Sequence, residues 1–155
     1  MYIRNSRNIK TAIIGLFLTL FFTTANAQHS YIDNHKDIAA DLSKQYGIPS
    51  SIILAIAIVE SGAGTSKASK TLNNHFGILG KNDVNNSKFK SFSTVRESYE
   101  AFCRMLSKKK IYTRLKDNNN SNDWVKAIAS TGYSTKPNEW IKKINSTIAK
   151  FGLQK

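Results

Sequence analysis

Acidic side chains are scarce in this 155-residue chain. Ten Asp and Glu stand against 23 Lys and Arg, for a formal net charge of +13. A cation this strong seeks a polyanion. Cysteine is nearly absent too: with Cys103 alone, no intramolecular disulfide can form. Cys103 lies among Ala101, Phe102, Met105 and Leu106 and reads as a buried, inert thiol. The only prolines are Pro49 and Pro137, so no proline-rich linker divides the chain, and no repeat is visible. The three histidines, His29, His35 and His75, lack metal-ligand spacing, so neither a metal nor a cofactor is expected. The one long apolar run, Thr11 to Phe22, spans 12 residues, short of the ~20 that cross a bilayer.

That run has a different reading. Arg4, Arg7 and Lys10 precede it without an acid, and Ala25-Asn26-Ala27 follows it. A basic start, a short apolar core and a small-x-small end make a secretory leader over residues 1–27. Export to the periplasm, cell wall or extracellular space is expected, with no stable membrane insertion after cleavage. The leader carries three of the positive charges and leaves +10 on residues 28–155. Outside the cytoplasm the polyanions at hand are the cell wall, with its stem-peptide carboxylates and teichoic acids, and anionic lipid. Export disfavours nucleic acid as a partner. Lysines spread over helices also suit a merely soluble surface.

Residues 28–35 read as a polar lead-in and 36–155 as one domain, expected to be a monomer. Asp37–Tyr46 has a helical stripe, with Gly47 at the position that ends a helix. Pro49 and Ser50 open a second helix, Ser51–Ser61, that is apolar on every side and so belongs at the centre of the fold. A short polar helix over Thr65–Leu72 follows. Residues 73–93, with Gly77, Gly80, Asn82, Asn85 and Asn86, predict turns and a small hairpin. Thr94-x-x-Glu97 is a capping box that starts a helix reaching about Lys108. Asp123–Ser130 and Glu139–Phe151 complete about six helices. The expected class is α+β, mostly α.

Glu60 is the informative residue. It follows eight apolar residues at the end of the central helix, and glycine-rich chain follows it. Glutamate is rarely buried without a reason. Desolvation there would favour the protonated carboxyl, which is what a glycosidase needs to protonate a leaving glycosidic oxygen. A glutamate that merely ends a core helix and points to water is the plain alternative.

Neighbouring segments add to this. Ser51 to Gly64 reads SIILAIAIVESGAG, followed by Lys67-Ala68-Ser69 and Asn73-Asn74-His75-Phe76-Gly77-Ile78. Phe89-Lys90-Ser91-Phe92, Thr94-Val95-Arg96-Glu97-Ser98 and Gly132-Tyr133-Ser134-Thr135-Lys136-Pro137 come later, in that order. From about Ala40 to Phe151 the chain resembles the bacterial glucosaminidase family, glycoside hydrolase family 73. These are mannosyl-glycoprotein endo-β-N-acetylglucosaminidase-like domains of the flagellar peptidoglycan-hydrolase type.

The resemblance implies a lysozyme-like fold with a small β-hairpin lobe. It also implies cleavage of peptidoglycan glycan strands at the β-1,4 bond after N-acetylglucosamine. Glu60 would be the general acid and Tyr133 a cleft residue. Ser61, Asn74, His75, Phe76 and Gly77 would form the substrate-side wall, though His75 also fits a structural role and Tyr133 a packing one.

The chain departs from the family's pattern in the hairpin lobe. A second carboxylate belongs about 5–5.5 Å from the acid for retention, or ~6.5–9.5 Å for inversion. Residues 78–92 offer only Asp83, which also reads as a plain turn residue. Either Asp83 serves, or the substrate's own N-acetyl group attacks the anomeric carbon. Two other functions stay open: a lytic transglycosylase or muramidase on the same substrate, and an inactive wall-binding module. Trp124 and Trp140 sit on helical patterns, where core packing is the default role.

Overall fold

The computed structural model describes the backbone of residues 7–154 and the side chains of residues 26–154. The leader read over residues 1–27 lies almost wholly outside the described side chains. No helix is long and apolar enough to cross a membrane among the described residues.

Among the described residues seven helices follow one another: α1 Arg7–Tyr46, α2 Ser50–Ser61, α3 Lys67–Leu72, α4 Val95–Ser107, α5 Lys110–Leu115, α6 Ser121–Ser130 and α7 Pro137–Lys150. The all-apolar helix is central as expected. Residues Ser51–Ile58 of α2 are all buried, and α2 packs against α1, α4, α6 and α7. Such burial is worth about 1.5–3 kcal/mol for each large aliphatic side chain. Pro49 precedes the first turn, where its missing N–H costs nothing. Gly62 ends the helix in the left-handed region at φ 59°.

The capping box forms with a shifted return bond. Thr94 Oγ1 accepts from the Glu97 N–H at 3.2 Å, and Glu97 Oε2 accepts from the Ser93 N–H at 2.9 Å. On α7, Trp140, Ile144 and Ile148 are buried at four-residue spacing, the stripe that faces α2 and α6.

Three expectations change. First, residues 28–35 are not a lead-in: they lie within α1, and Tyr31 is buried in the core. His29 packs edge-on against Phe151, and Gln28 Oε1 accepts from Lys150 Nζ at 3.0 Å. Second, α5 is an additional short helix. Its Leu115 is buried, and Tyr112 donates to the Tyr46 carbonyl at 2.6 Å. The lysine run from Lys108 to Lys110 hides it by reading as the solvated end of α4.

Third, no strand forms among the described residues, and the hairpin is reduced to one antiparallel bridge, Leu79 with Phe89. Asparagine side chains take over the bonds a ladder would use. Asn82 Oδ1 accepts from the N–H groups of Val84 and Asn85, and its Nδ2 donates to the Ser87 and Phe89 carbonyls. Such local side-chain bonds compete directly with strand pairing.

Candidate active site

Glu60 stands in the last turn of α2, half-buried, where the buried run gives way to the turn Gly62-Ala63-Gly64. The turn is pinned from within. Ser61 is fully buried, donates to the Ala57 carbonyl at 2.6 Å and accepts from the Gly64 N–H at 2.8 Å. At Gly64, with φ +78°, an added Cβ would lie 3.1 Å from the Tyr31 ring, so α1 closes down on the turn because no side chain intervenes.

The Glu60 carboxyl meets α7. Trp140 Nε1 donates to Glu60 Oε1 at 2.7 Å. The indole is buried, and the Tyr133 ring lies tilted against it at 5.4 Å between centroids. The Tyr133 hydroxyl donates to the Phe76 carbonyl at 3.1 Å. Burial, with a contribution from the Glu60 charge, pushes the Tyr133 phenol well above its ordinary range. Tyr133 thus stands by the acid as a neutral hydroxyl. Its one proton is engaged by backbone, so toward anything else it offers only acceptor capacity.

The Asn73–Gly77 segment splits into inward and outward parts. Asn74 is buried and used up internally. Its Nδ2 donates to the carbonyls of Ile78 and Lys90, both at 2.8 Å, and its Oδ1 accepts from the Ile78 N–H at 3.0 Å. Asn74 therefore ties the bridge to the helical body and keeps no donor for a ligand. Phe76 is buried and stacks on Phe102 at 4.3 Å. Gly77 turns the chain at φ 65°.

His75 also points inward. Its Nδ1 lies 2.6 Å from the Tyr31 hydroxyl, which is in turn 2.7 Å from the Tyr99 hydroxyl. His35 stacks on Tyr31 at 4.1 Å and on Tyr99 at 5.7 Å. Burial, helped by the neighbouring His35, lowers His75 to about 4, so the ring is neutral at neutral pH. Burial raises Tyr31 to about 12 against the opposing effect of its hydrogen bonds, and raises Tyr99 further. His75, Tyr31 and Tyr99 thus form a neutral, hydrogen-bonded polar knot behind the site. Burial likewise raises the Cys103 thiol to about 12, which removes it as a nucleophile.

Of the residues singled out in the sequence, the structure thus gathers Glu60, Tyr133 and the Phe76 carbonyl. It turns Ser61, Asn74 and His75 toward the interior. Asp83 is set apart: its side chain is 83% exposed, in the asparagine-rich loop, 3.6 Å from Lys81 Nζ. Among the described residues no cluster of His, Cys, Asp or Glu could hold a metal.

Two residues of this region were not legible as site residues. Trp140 reads as core because its stripe is core. The available signal was Pro137, which starts α7 four residues after Tyr133 and brings both aromatics to one corner. Tyr31 was obscured by polar neighbours, although Tyr31, His35, Ile38 and Leu42 continue a helical spacing.

Residues 36–153 match the glucosaminidase family, described as mannosyl-glycoprotein endo-beta-N-acetylglucosaminidase. The chain is 27% identical to the exo-glucosaminidase LytG of Bacillus subtilis (strain 168), over 81% of this chain and 52% of that protein. It is 25% identical to the peptidoglycan hydrolase FlgJ of Vibrio cholerae serotype O1, over 74% of this chain and 41% of that protein. It therefore spans about half the length of the curated relatives it matches, or less. Among solved structures, the catalytic domain of the autolysin Auto from Listeria monocytogenes superposes with a TM-score of 0.68. That pair is 25% identical, over 83% of this chain and 86% of the other.

Proposed function

Since this chain belongs to the glucosaminidase family, we propose that it is an exported peptidoglycan hydrolase with Glu60 as its general acid. It cuts within glycan strands, at the β-1,4 bond between N-acetylglucosamine and N-acetylmuramic acid. The observation that carries this reading is the half-buried Glu60 carboxyl at the end of α2, with one oxygen held by Trp140 and Tyr133 beside it. The curated relatives are named as a glucosaminidase and a peptidoglycan hydrolase, which supports the substrate class. The leader over residues 1–27 and the +10 charge that follows it suit an anionic wall.

The chemistry needs one proton donor. Glu60 gives its proton to the glycosidic oxygen, the bond from that oxygen to the anomeric carbon breaks, and the leaving sugar departs as an alcohol. With Asp83 exposed and paired to Lys81, the acetamido oxygen of the bound N-acetylglucosamine is the better-placed nucleophile. It closes an oxazoline-type ring on the anomeric carbon. Water then opens the ring, delivering hydroxyl to that carbon and returning a proton to Glu60.

Clearing of purified peptidoglycan by the wild-type chain, and loss of clearing in Glu60→Gln, is the expected outcome. Wall binding without clearing would make the chain a binding module instead. A fall in mean strand length early in digestion marks cutting within strands; release of single terminal units marks cutting from the ends.

A further inference from the structure

We infer that Trp140 is a positioning residue that divides the labour between the two oxygens of Glu60, fixing Oε1 as a permanent acceptor and leaving the acidic proton to Oε2. This rests on Glu60 being the acid. An indole N–H can only donate, and Trp140 Nε1 lies 2.7 Å from Glu60 Oε1. The carbonyl oxygen of a neutral carboxyl is its better acceptor, so a donor fixed on Oε1 favours the form that carries the hydrogen on Oε2. The acid therefore has one delivery direction, and the buried Trp140 ring holds it in place.

The bond also changes strength during the reaction. Before proton transfer the indole donates to a neutral carboxyl; afterwards it donates to a carboxylate. Hydrogen bonds to an ionised acceptor are roughly twice as strong as neutral ones. The contact therefore tightens as charge develops on Glu60, which lowers the barrier rather than improving substrate binding. Trp140 itself touches no reacting atom and transfers no proton.

The chain supplies its own control. It has two tryptophans, and the other indole, Trp124 Nε1, donates to the Asn118 backbone carbonyl at 2.8 Å, an acceptor that does not titrate. In ¹H–¹⁵N spectra of the full chain recorded across pH, the Trp140 indole resonance is expected to move in one step as Glu60 ionises. The Trp124 resonance should stay still. In Glu60→Gln both should be flat. A Trp140 resonance that does not move in the wild type, or that moves equally in Glu60→Gln, would overturn the assignment.

Trp140→Phe keeps a six-membered aromatic ring and removes the N–H together with the rest of the five-membered ring, so circular dichroism and a thermal melt check that the smaller ring still packs. Its turnover on soluble peptidoglycan fragments is expected to fall about tenfold, or ~1.4 kcal/mol of barrier, with KM changed less than twofold. Unchanged kcat in a folded Trp140→Phe would overturn the positioning role. Full activity in Glu60→Gln would instead overturn the acid reading, whatever the indole resonance does.

Discussion

Glycosidase chemistry commonly pairs two carboxylates, and the fold treats the two that the sequence offers for those roles, Glu60 and Asp83, in opposite ways. Glu60 ends a helix buried on every side, and an indole N–H grips one of its oxygens. Asp83 rides a loop whose backbone bonds are made by its own asparagines, and its partner is an exposed lysine. An exposed ion pair of this kind contributes little, typically 0–1 kcal/mol. The difference teaches that one carboxylate is preorganised by the core while the other is not. A catalytic group needs that preorganisation to hold its geometry at the moment of reaction.

The largest expected effect is at Glu60. Glu60→Gln keeps the side-chain volume and an oxygen to accept from Trp140, so circular dichroism should report an intact fold. Turnover on peptidoglycan should fall by at least about 100-fold, within the 10²–10⁴ range of a positioned acid. Next comes Tyr133→Phe. It leaves the Phe76 carbonyl without its donor and loosens the corner where Tyr133 meets Trp140. A loss of roughly 10- to 100-fold in kcat is expected, since small misplacements near a reacting centre are costly.

Asp83→Asn should cost less than about tenfold, below the range of a true general base. A thousandfold loss there, with Tyr133→Phe near normal, would erase the contrast between the two carboxylates and restore a two-carboxylate mechanism.

The smallest effect is on stability and lies behind the site. Folding lowers His75 from 6.5 to about 4. Between those pH values the unfolded chain binds a proton that the folded chain refuses, so stability rises with pH across the window. The His75 contribution is complete above about pH 6.5 and is lost as pH falls toward about 4. Each pH unit of that displacement is worth about 1.4 kcal/mol at most. Thermal melts at pH 4.5 and 7 check this: His75→Gln should show a smaller difference between the two pH values than the wild type.

Much of the fold was legible because its signals are local. Pro49 and Ser50 opened α2, Gly47 closed α1, and Thr94 with Glu97 marked α4, each through backbone chemistry that one or two residues decide. The α2 run announced the core because no helix stays apolar all round unless it is enclosed. The hairpin was not legible: counting turn residues does not reveal that Asn82 and Asn85 will consume the ladder's bonds themselves. Residues 28–35 misled because polar neighbours diluted the single buried Tyr31.

Short motifs singled out Glu60 and Tyr133, and the structure sets both against Trp140, which no motif marked. Its contact with Glu60 joins residues 80 apart in the chain and exists only once α7 packs on α2. Asn74 and His75 stood in a motif and were read as substrate contacts, whereas the fold spends both on its own interior.

The most direct measurement is mass spectrometry of the new chain ends in peptidoglycan digested by the wild-type chain, with Glu60→Gln in parallel. The expected result is reducing N-acetylglucosamine ends that accumulate with the wild type and are missing from the Glu60→Gln digest. Ends of 1,6-anhydromuramic type, or reducing N-acetylglucosamine released equally by Glu60→Gln, would contradict hydrolysis driven by Glu60.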